Sequence, residues 1–393
     1  MRFKRSSGGQ RHGPVKLTRR AERPVKALSP PRPVLGTPRL LGYVLARQAG
    51  GAAAKAFPSS VACTLAGSRQ TRDKARTILP AGACRMALLF HSPDEDAQAW
   101  RQALLRHAPD LDVRLWPEIG DPAAIDAALV WRAPPGLLAS LPNLRLILSL
   151  GAGIDAMLAD PTLPDLPLCR LVDPSLTRMM GEFVLALVLK YHRQLDVFAR
   201  QQREGRWAFD LPPQPAETAV GILGLGELGS HAAHLLHGMG FAVRGWSRSA
   251  KAIEGVATFA GPEELTPFLA GTAILVCLLP LTPATRGIMD ARLFAGLPRG
   301  ARVINLGRGA QLVERDLLEA LDSGHLAHAS LDCFAEEPLP LGHPFWSHPR
   351  VDVTPHVASF SLPDSAAAGV VDNLRRFAEG RPLRNLVDRA RGY

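Results

Sequence analysis

A short apolar run, Ala219 to Leu223, breaks into Gly224-Leu225-Gly226-Glu227-Leu228-Gly229. An apolar, helix-compatible segment follows from Ser230 to Met239, and a second apolar run from Phe241 to Trp246. This pattern reads as strand, tight turn, helix and strand, the opening of a dinucleotide-binding unit. Each glycine has its own task there. Gly224 makes the turn, Gly226 lets backbone approach a pyrophosphate, and Gly229 lets the helix pack close to the sheet. The free N–H groups and positive dipole end at Glu227 and Leu228 would face the phosphates. The competing reading is a Gly-rich β-turn that serves packing alone.

The rest of the chain is long enough to surround such a unit. Its 393 residues suit two or three domains, and 47% hydrophobic content supports a large core. The five cysteines, Cys63, Cys84, Cys169, Cys277 and Cys333, are odd in number and widely spaced. That argues against a disulfide framework or a zinc site and fits a reducing compartment, here the cytoplasm. No apolar run is long enough for a membrane span. The net charge of +10 is uneven: residues 1–85 hold 18 Lys and Arg against Glu22 and Asp73, whereas the remainder holds 28 basic and 34 acidic residues. A mildly acidic body argues against nucleic acid as a partner. The basic leader, 1–85, reads as a transit peptide, a disordered basic arm, or an extension ahead of a start at Met86, the last being favoured because a strand begins there at once.

From Met86 the chain alternates strand and helix, which implies parallel sheets with helices on their faces. The expected elements are a strand at 87–90, a helix at 94–107, a strand at 113–116, a short helix at 125–128, and strands at 129–131 and 145–150. One long helix is expected over 182–202, then an extended arm containing Trp207 and Phe209. Six strands follow, at 219–223, 242–246, 273–278, 302–306, 329–331 and 351–354, and a tail helix at 364–379. The fold class is α/β, with two Rossmann-like or flavodoxin-like parallel-sheet domains and the active site between them. The tail is expected to return to the first domain, giving 86–178 plus 358–393 for substrate and 179–357 for the dinucleotide.

Ligands of open parallel sheets bind beyond the carboxyl ends of the strands. Those ends carry Ser247-Arg248-Ser249, Leu279-Pro280, Leu306 with Arg308, Asp332 with Glu336-Glu337, and His356 with Ser359. An Arg, a Glu and a His on one edge fit the reduction of a 2-keto acid. Arg pairs bidentately with a carboxylate. His donates a proton near neutral pH. A Glu orients the ring and favours the imidazolium. Taken singly, Arg308 could be a surface charge, His356 a strand-capping histidine and Glu337 a loop acid.

At these residues the chain resembles the D-isomer-specific 2-hydroxyacid dehydrogenases. The likeness rests on the glycine motif, Asn305-Leu306-Gly307-Arg308-Gly309, the stretch Leu331 to Pro340, and Thr354-Pro355-His356. Val130-Trp131, Leu150 to Asp155, Trp246 to Ser249 and the ending Val387 to Tyr393 resemble a subgroup acting on glyoxylate and hydroxypyruvate. The resemblance covers 86–393. It implies that Arg308 holds the substrate carboxylate with the backbone N–H groups of Ala152 and Gly153. His356 would protonate the carbonyl oxygen with Glu337 as its partner, chosen over Glu336 because it precedes the proline. Trp131 would line the pocket, and Trp207 would reach the partner's site in a homodimer.

Ser247 stands where NAD-specific members carry an acid, and Arg248 follows, so NADPH is expected to be preferred over NADH. Lys251 is a weaker helper. Gln194 replaces an Arg frequent in relatives. No metal is expected. The alternatives are a dehydrogenase for a bulkier 2-hydroxy acid and a non-catalytic dinucleotide-sensing corepressor.

Overall fold

The structure, a computed structural model, describes residues 86–393, so the expectations for the leader lie outside the described residues. The first sheet contains β1 (Ala87–His91), β2 (Asp112–Leu115), β3 (Ile125–Val130), β4 (Leu146–Ser149) and β5 (Leu168–Cys169). Its strands are parallel and ordered β2-β1-β3-β4-β5. Period-two alternation builds two cores from β1. Leu88 and Phe90 face Trp100 and Leu104 of α1 (Ala97–His107), while Ala87 and Leu89 face Leu137, Leu138 and Ile154. Asp96 starts α1 by accepting from the N–H groups of Gln98 and Ala99, two of the four that a helix leaves unpaired.

Residues 125–128 differ from the helix expected there. Asp121 and Pro122 confine the helical turn to 122–124, and Ile125 then joins one continuous strand. β3 lies between β1 and β4, buried on both faces, so it shows no polar alternation and its alanines mimic a helix. The long helix expected over 182–202 is two helices, α3 (Pro174–His192) and α4 (Leu195–Arg203), after the short α2 (Asp155–Leu158). The break falls at Gln194, in the left-handed region with φ 57°. Just beyond the turn the buried Asp196 carboxylate accepts from Arg302 Nε at 3.0 Å, a contact with a residue distant in the chain.

The second sheet has seven strands rather than six: β6 (Ala219–Leu223), β7 (Ala242–Ser247), β8 (Ala257–Ala260), β9 (Ile274–Cys277), β10 (Ala301–Asn305), β11 (Leu326–Leu331) and β12 (Val351–Val353). All are parallel, in the order β12-β11-β10-β9-β6-β7-β8. The additional strand, β8, is a short edge strand whose apolar residues are only partly buried. Strand order reverses between β6 and β9, so the glycine turn after β6 opens at the switch point where such sheets bind ligands. Helices α5 (Glu227–Gly238), α6 (Leu265–Ala270), α7 (Ala291–Ala295) and α8 (Glu314–Asp322) cover this sheet. So does α3, whose Met180, Val184, Val188 and Tyr191 enter a core with Val220, Ile222 and Ala232.

The last helix, α9 (Pro363–Ala378), carries a stripe of Ala366, Ala367, Val370, Val371 and Leu374. That stripe packs with Leu88, Trp100 and Leu104 of the first sheet's core. Beyond it, Val387 N–H donates to Leu168 O at 2.8 Å, which brings the tail beside β5.

Candidate active site

The carboxyl ends of both sheets open onto one cleft of about 1150 Å³. Gly224 enters the turn at φ 101°, a left-handed conformation that a side chain would strain. A Cβ on Gly229 would stand 1.8 Å from Gly224 O, so only glycine lets α5 start this close to β6. A Cβ on Gly226, by contrast, would meet nothing within 4 Å. Its lack of a side chain therefore leaves room on the cleft side, as close approach of a bulky phosphate requires. The first intrahelical bond of α5 runs from Ser230 N–H to Gly226 O. Among the described residues the N–H groups before it have no hydrogen-bond partner and can face an anion. These features fit a dinucleotide, and Glu227, Leu228, Leu279, Pro280, Leu306 and Ser359 line the same cleft.

The next wall is the end of β7. Ser247, Arg248 and Ser249 all line it. The Ser247 hydroxyl donates to Ser249 O at 2.8 Å, and Lys251 Nζ donates to Leu225 O. Lys251 is thus tied to the glycine loop.

Arg308 follows β10. Its backbone N–H donates to Gln311 Oε1 at 2.8 Å, and Gln311 Nε2 donates to the carbonyls of Leu279 and Pro280 at 2.9 and 3.0 Å. Asn305, fully buried, donates to Arg308 O at 3.1 Å. The side chain is fixed as firmly: Nη1 donates to Gly307 O at 2.8 Å and Nε to Asp155 Oδ1 at 3.0 Å. Among the described residues Nη2 has no hydrogen-bond partner. It lies directly over Gly153, where an added Cβ would be 1.8 Å away. Arg308 thus crosses the cleft to the turn after β4, where Ala152 and Gly153 also line the wall. Trp131 lines the same pocket. Trp207 does not: it is fully exposed on the arm.

His356 is held in a left-handed conformation, φ 54°, after β12. Such strain in a non-glycine residue persists only where surrounding bonds impose it. Asp332 imposes it here. Its buried carboxylate accepts from Thr354 Oγ1 at 2.5 Å and from the N–H groups of Val357 and Ala358 at 3.0 Å each. Asp332, expected among the cofactor contacts, lines the cleft while its carboxylate shapes this turn.

The turn points His356 Nδ1 at Glu337, with 2.9 and 3.1 Å to the two carboxylate oxygens. Phe334 N–H donates to Glu337 Oε1 at 3.0 Å. Burial works to raise the Glu337 pKa. The bonds from His356 and Phe334 and the charges of His356 and Arg132 outweigh it and hold the carboxyl below its ordinary value. Glu336 makes no such contact among the described residues, and Glu337 alone partners the histidine.

Cys333 Sγ lies within 4.8 Å of ligand atoms on Glu337 and His356. Burial, reinforced by the Asp332 charge, pushes this thiol well above its usual pKa, and it donates to Gly307 O at 3.3 Å. A protonated, engaged thiol is a poor metal ligand. Two contributors escaped the sequence reading. Asp155, which appears there only within the stretch Leu150 to Asp155, pairs with Arg308, and Arg132, which no motif marks, pairs with Glu337 at 3.9 Å.

A glycine turn facing Arg308 and a His356–Glu337 pair is the site of an NAD(P)-dependent 2-hydroxyacid oxidoreductase. The chain belongs to the D-isomer specific 2-hydroxyacid dehydrogenase family, whose NAD binding domain matches residues 185–358. It is 46% identical over 314 residues to glyoxylate/hydroxypyruvate reductase A of Yersinia enterocolitica, covering 78% of this chain and all of that protein.

Two solved structures are similar over a comparable share of the chain. A D-isomer specific 2-hydroxyacid dehydrogenase from Xanthobacter autotrophicus Py2, in complex with NADPH and MES, is 50% identical with a TM-score of 0.77. It covers 79% of this chain and 100% of its own. The NADPH-dependent glyoxylate/hydroxypyruvate reductase of Sinorhizobium meliloti, in complex with NADP and sulfate, is 41% identical with a TM-score of 0.73, covering 78% and 100%.

Proposed function

We propose that the protein reduces a small 2-keto acid, glyoxylate or hydroxypyruvate, to the 2-hydroxy acid with NADPH. The observation that carries this reading is the convergence of Arg308, Glu337 and His356 on the cleft opened by Gly224 to Gly229. Residues 86–178 plus 358–393 would form the substrate domain and 179–357 the dinucleotide domain.

Arg308 Nη2 and the N–H groups of Ala152 and Gly153 bind the keto-acid carboxylate and orient C2. Glu337 occupies His356 Nδ1 and leaves Nε2 for the substrate. His356 then delivers its proton from Nε2 to the carbonyl oxygen as negative charge develops there. The carboxylate of Glu337 stabilises the imidazolium before transfer. NADPH bound in this cleft would supply the hydride, and the glycine turn and the start of α5 would hold its phosphates. Ser247 and Arg248 favour a 2′-phosphate, since no acid repels it at the end of β7 and a guanidinium can pair with it.

Trp207, Phe209 and Leu211 lie on one arm, 100%, 71% and 84% exposed, which supports a homodimer formed through it. Sedimentation of wild type and Trp207→Ala tests that assembly: a dimer weakened by the substitution supports it, and a wild-type monomer opposes it. The buried, unpaired Cys169, Cys277 and Cys333 support a reducing compartment, the cytoplasm. Among the described residues no helix is long and apolar enough to cross a membrane. A steady-state panel of glyoxylate, hydroxypyruvate, pyruvate and a branched 2-keto acid, each with NADPH and NADH, tests the function. The highest kcat/KM should fall on a two- or three-carbon acid with NADPH, and a preference for the branched acid would redirect the assignment.

A further inference from the structure

The segment Asp388–Tyr393 belongs by its contacts to the first sheet yet ends against the nucleotide wall. Arg389 Nη2 donates to the carbonyls of Pro164 and Leu166 at 2.7 and 2.6 Å, which fixes the segment beside β5. It is also folded on itself. Asp388 N–H donates to Tyr393 O at 3.1 Å, Gly392 N–H donates to Asp388 O at 2.9 Å, and Arg391 Nε pairs with Asp388 at 2.9 Å. Gly392 sits at φ 80°, and a Cβ there would lie 3.3 Å from Thr282 Cγ2 in the loop after β9. One residue further, the Tyr393 ring lies under the guanidinium of Arg248, 5.1 Å from ring centroid to Cζ. Arg391, Gly392 and Tyr393 all line the cleft.

We propose that Tyr393 is a positioning residue for selection of the 2′-phosphorylated cofactor, holding the Arg248 guanidinium from across the cleft. The inference rests on the reading of Arg248 as the partner of a 2′-phosphate. An unsupported arginine at a strand end samples many rotamers, and ordering it costs free energy on binding. A ring face beneath the planar guanidinium limits those rotamers while leaving its in-plane N–H groups free for an anion. Because Tyr393 is anchored through the first sheet, it holds Arg248, at the end of β7, from the opposite wall of the cleft.

The test is direct titration of NADPH and NADH into the protein without substrate, by fluorescence of the bound dihydronicotinamide, for wild type, Tyr393→Ala, Tyr393→Phe and Arg248→Ala. Loss of one cation–π contact corresponds to about a two- to fivefold weakening. Tyr393→Ala should weaken NADPH by that factor and leave NADH unchanged, whereas Tyr393→Phe, which keeps the ring, should match wild type. Arg248→Ala should weaken NADPH by about tenfold or more. If Arg248→Ala weakens NADPH and Tyr393→Ala does not, the positioning role is overturned while the 2′-phosphate reading stands. Equal weakening of NADPH and NADH by Tyr393→Ala also overturns it. If Arg248→Ala leaves NADPH unchanged, the reading beneath it fails as well.

Discussion

A methyl group on residue 153 would stand 1.8 Å from Arg308 Nη2, 2.9 Å from Cζ and 3.2 Å from Asp155 Oδ1. Ordinary contact between such atoms is about 3.5 Å, so in Gly153→Ala the guanidinium must retreat by roughly 1.5 Å or more. It cannot swing away freely, because Nε is bonded to Asp155 and Nη1 to Gly307 O. Displacing a positioning group by about 1 Å can cost on the order of 100-fold in rate. Loss of one charge-assisted hydrogen bond costs about 1.5–3 kcal/mol. Gly153→Ala is therefore expected to lower kcat/KM for glyoxylate by about 10- to 100-fold. The φ of Gly153 lies outside the left-handed region, so alanine adds no left-handed strain there. The nucleotide turn is on the other sheet, so the NADPH dissociation constant should stay within about twofold of wild type. Steady-state kinetics with a parallel NADPH titration checks both. A kcat/KM within about twofold of wild type would refute the convergence of Arg308 and the 152–153 turn on the carboxylate.

His356→Ala should lower kcat by about 100- to 10,000-fold, the range for loss of a general acid, with NADPH affinity unchanged in the same titration. Gly229→Ala places a Cβ 1.8 Å from Gly224 O, so the turn must open. About 1–3 kcal/mol of stability and much of the NADPH affinity should be lost, read by denaturant midpoint and cofactor titration. Asp352 gives a pH-dependent case. Burial works to raise its pKa, but bonds to His328 and Lys190 hold it well below the ordinary value. A depressed folded-state pKa adds stability that is present above the unfolded value, near pH 4, and is lost as pH falls below it. The Tm difference between wild type and Asp352→Asn should be largest near pH 7 and shrink below about pH 4.

How much of the molecule the sequence reveals depends on where each signal lies. β6 is legible to the residue because a glycine turn ends it, and α9 because its apolar stripe has helical spacing. Arg308, Glu337 and His356 can be placed on one sheet edge because each follows a strand. β3 reads as part helix because a strand buried on both faces has no alternation. The α3–α4 break leaves no local signal: it falls at Gln194, and the pairing just beyond it joins Asp196 to Arg302, 106 residues away. β8 is too short and too weakly buried to leave a pattern. Asp155 meets Arg308 across 153 residues, and Tyr393 meets Arg248 from the first sheet's side of the cleft, so only the assembled fold brings them together.

Reduction at C2 of a small 2-keto acid is read by incubating the protein with glyoxylate and NADPH carrying deuterium at both C4 positions of the nicotinamide, with mass analysis of the glycolate formed. Glycolate should carry one deuterium on C2 and form at a rate that collapses in His356→Ala. Glycolate without deuterium, or no glycolate from glyoxylate at all, would contradict reduction at C2.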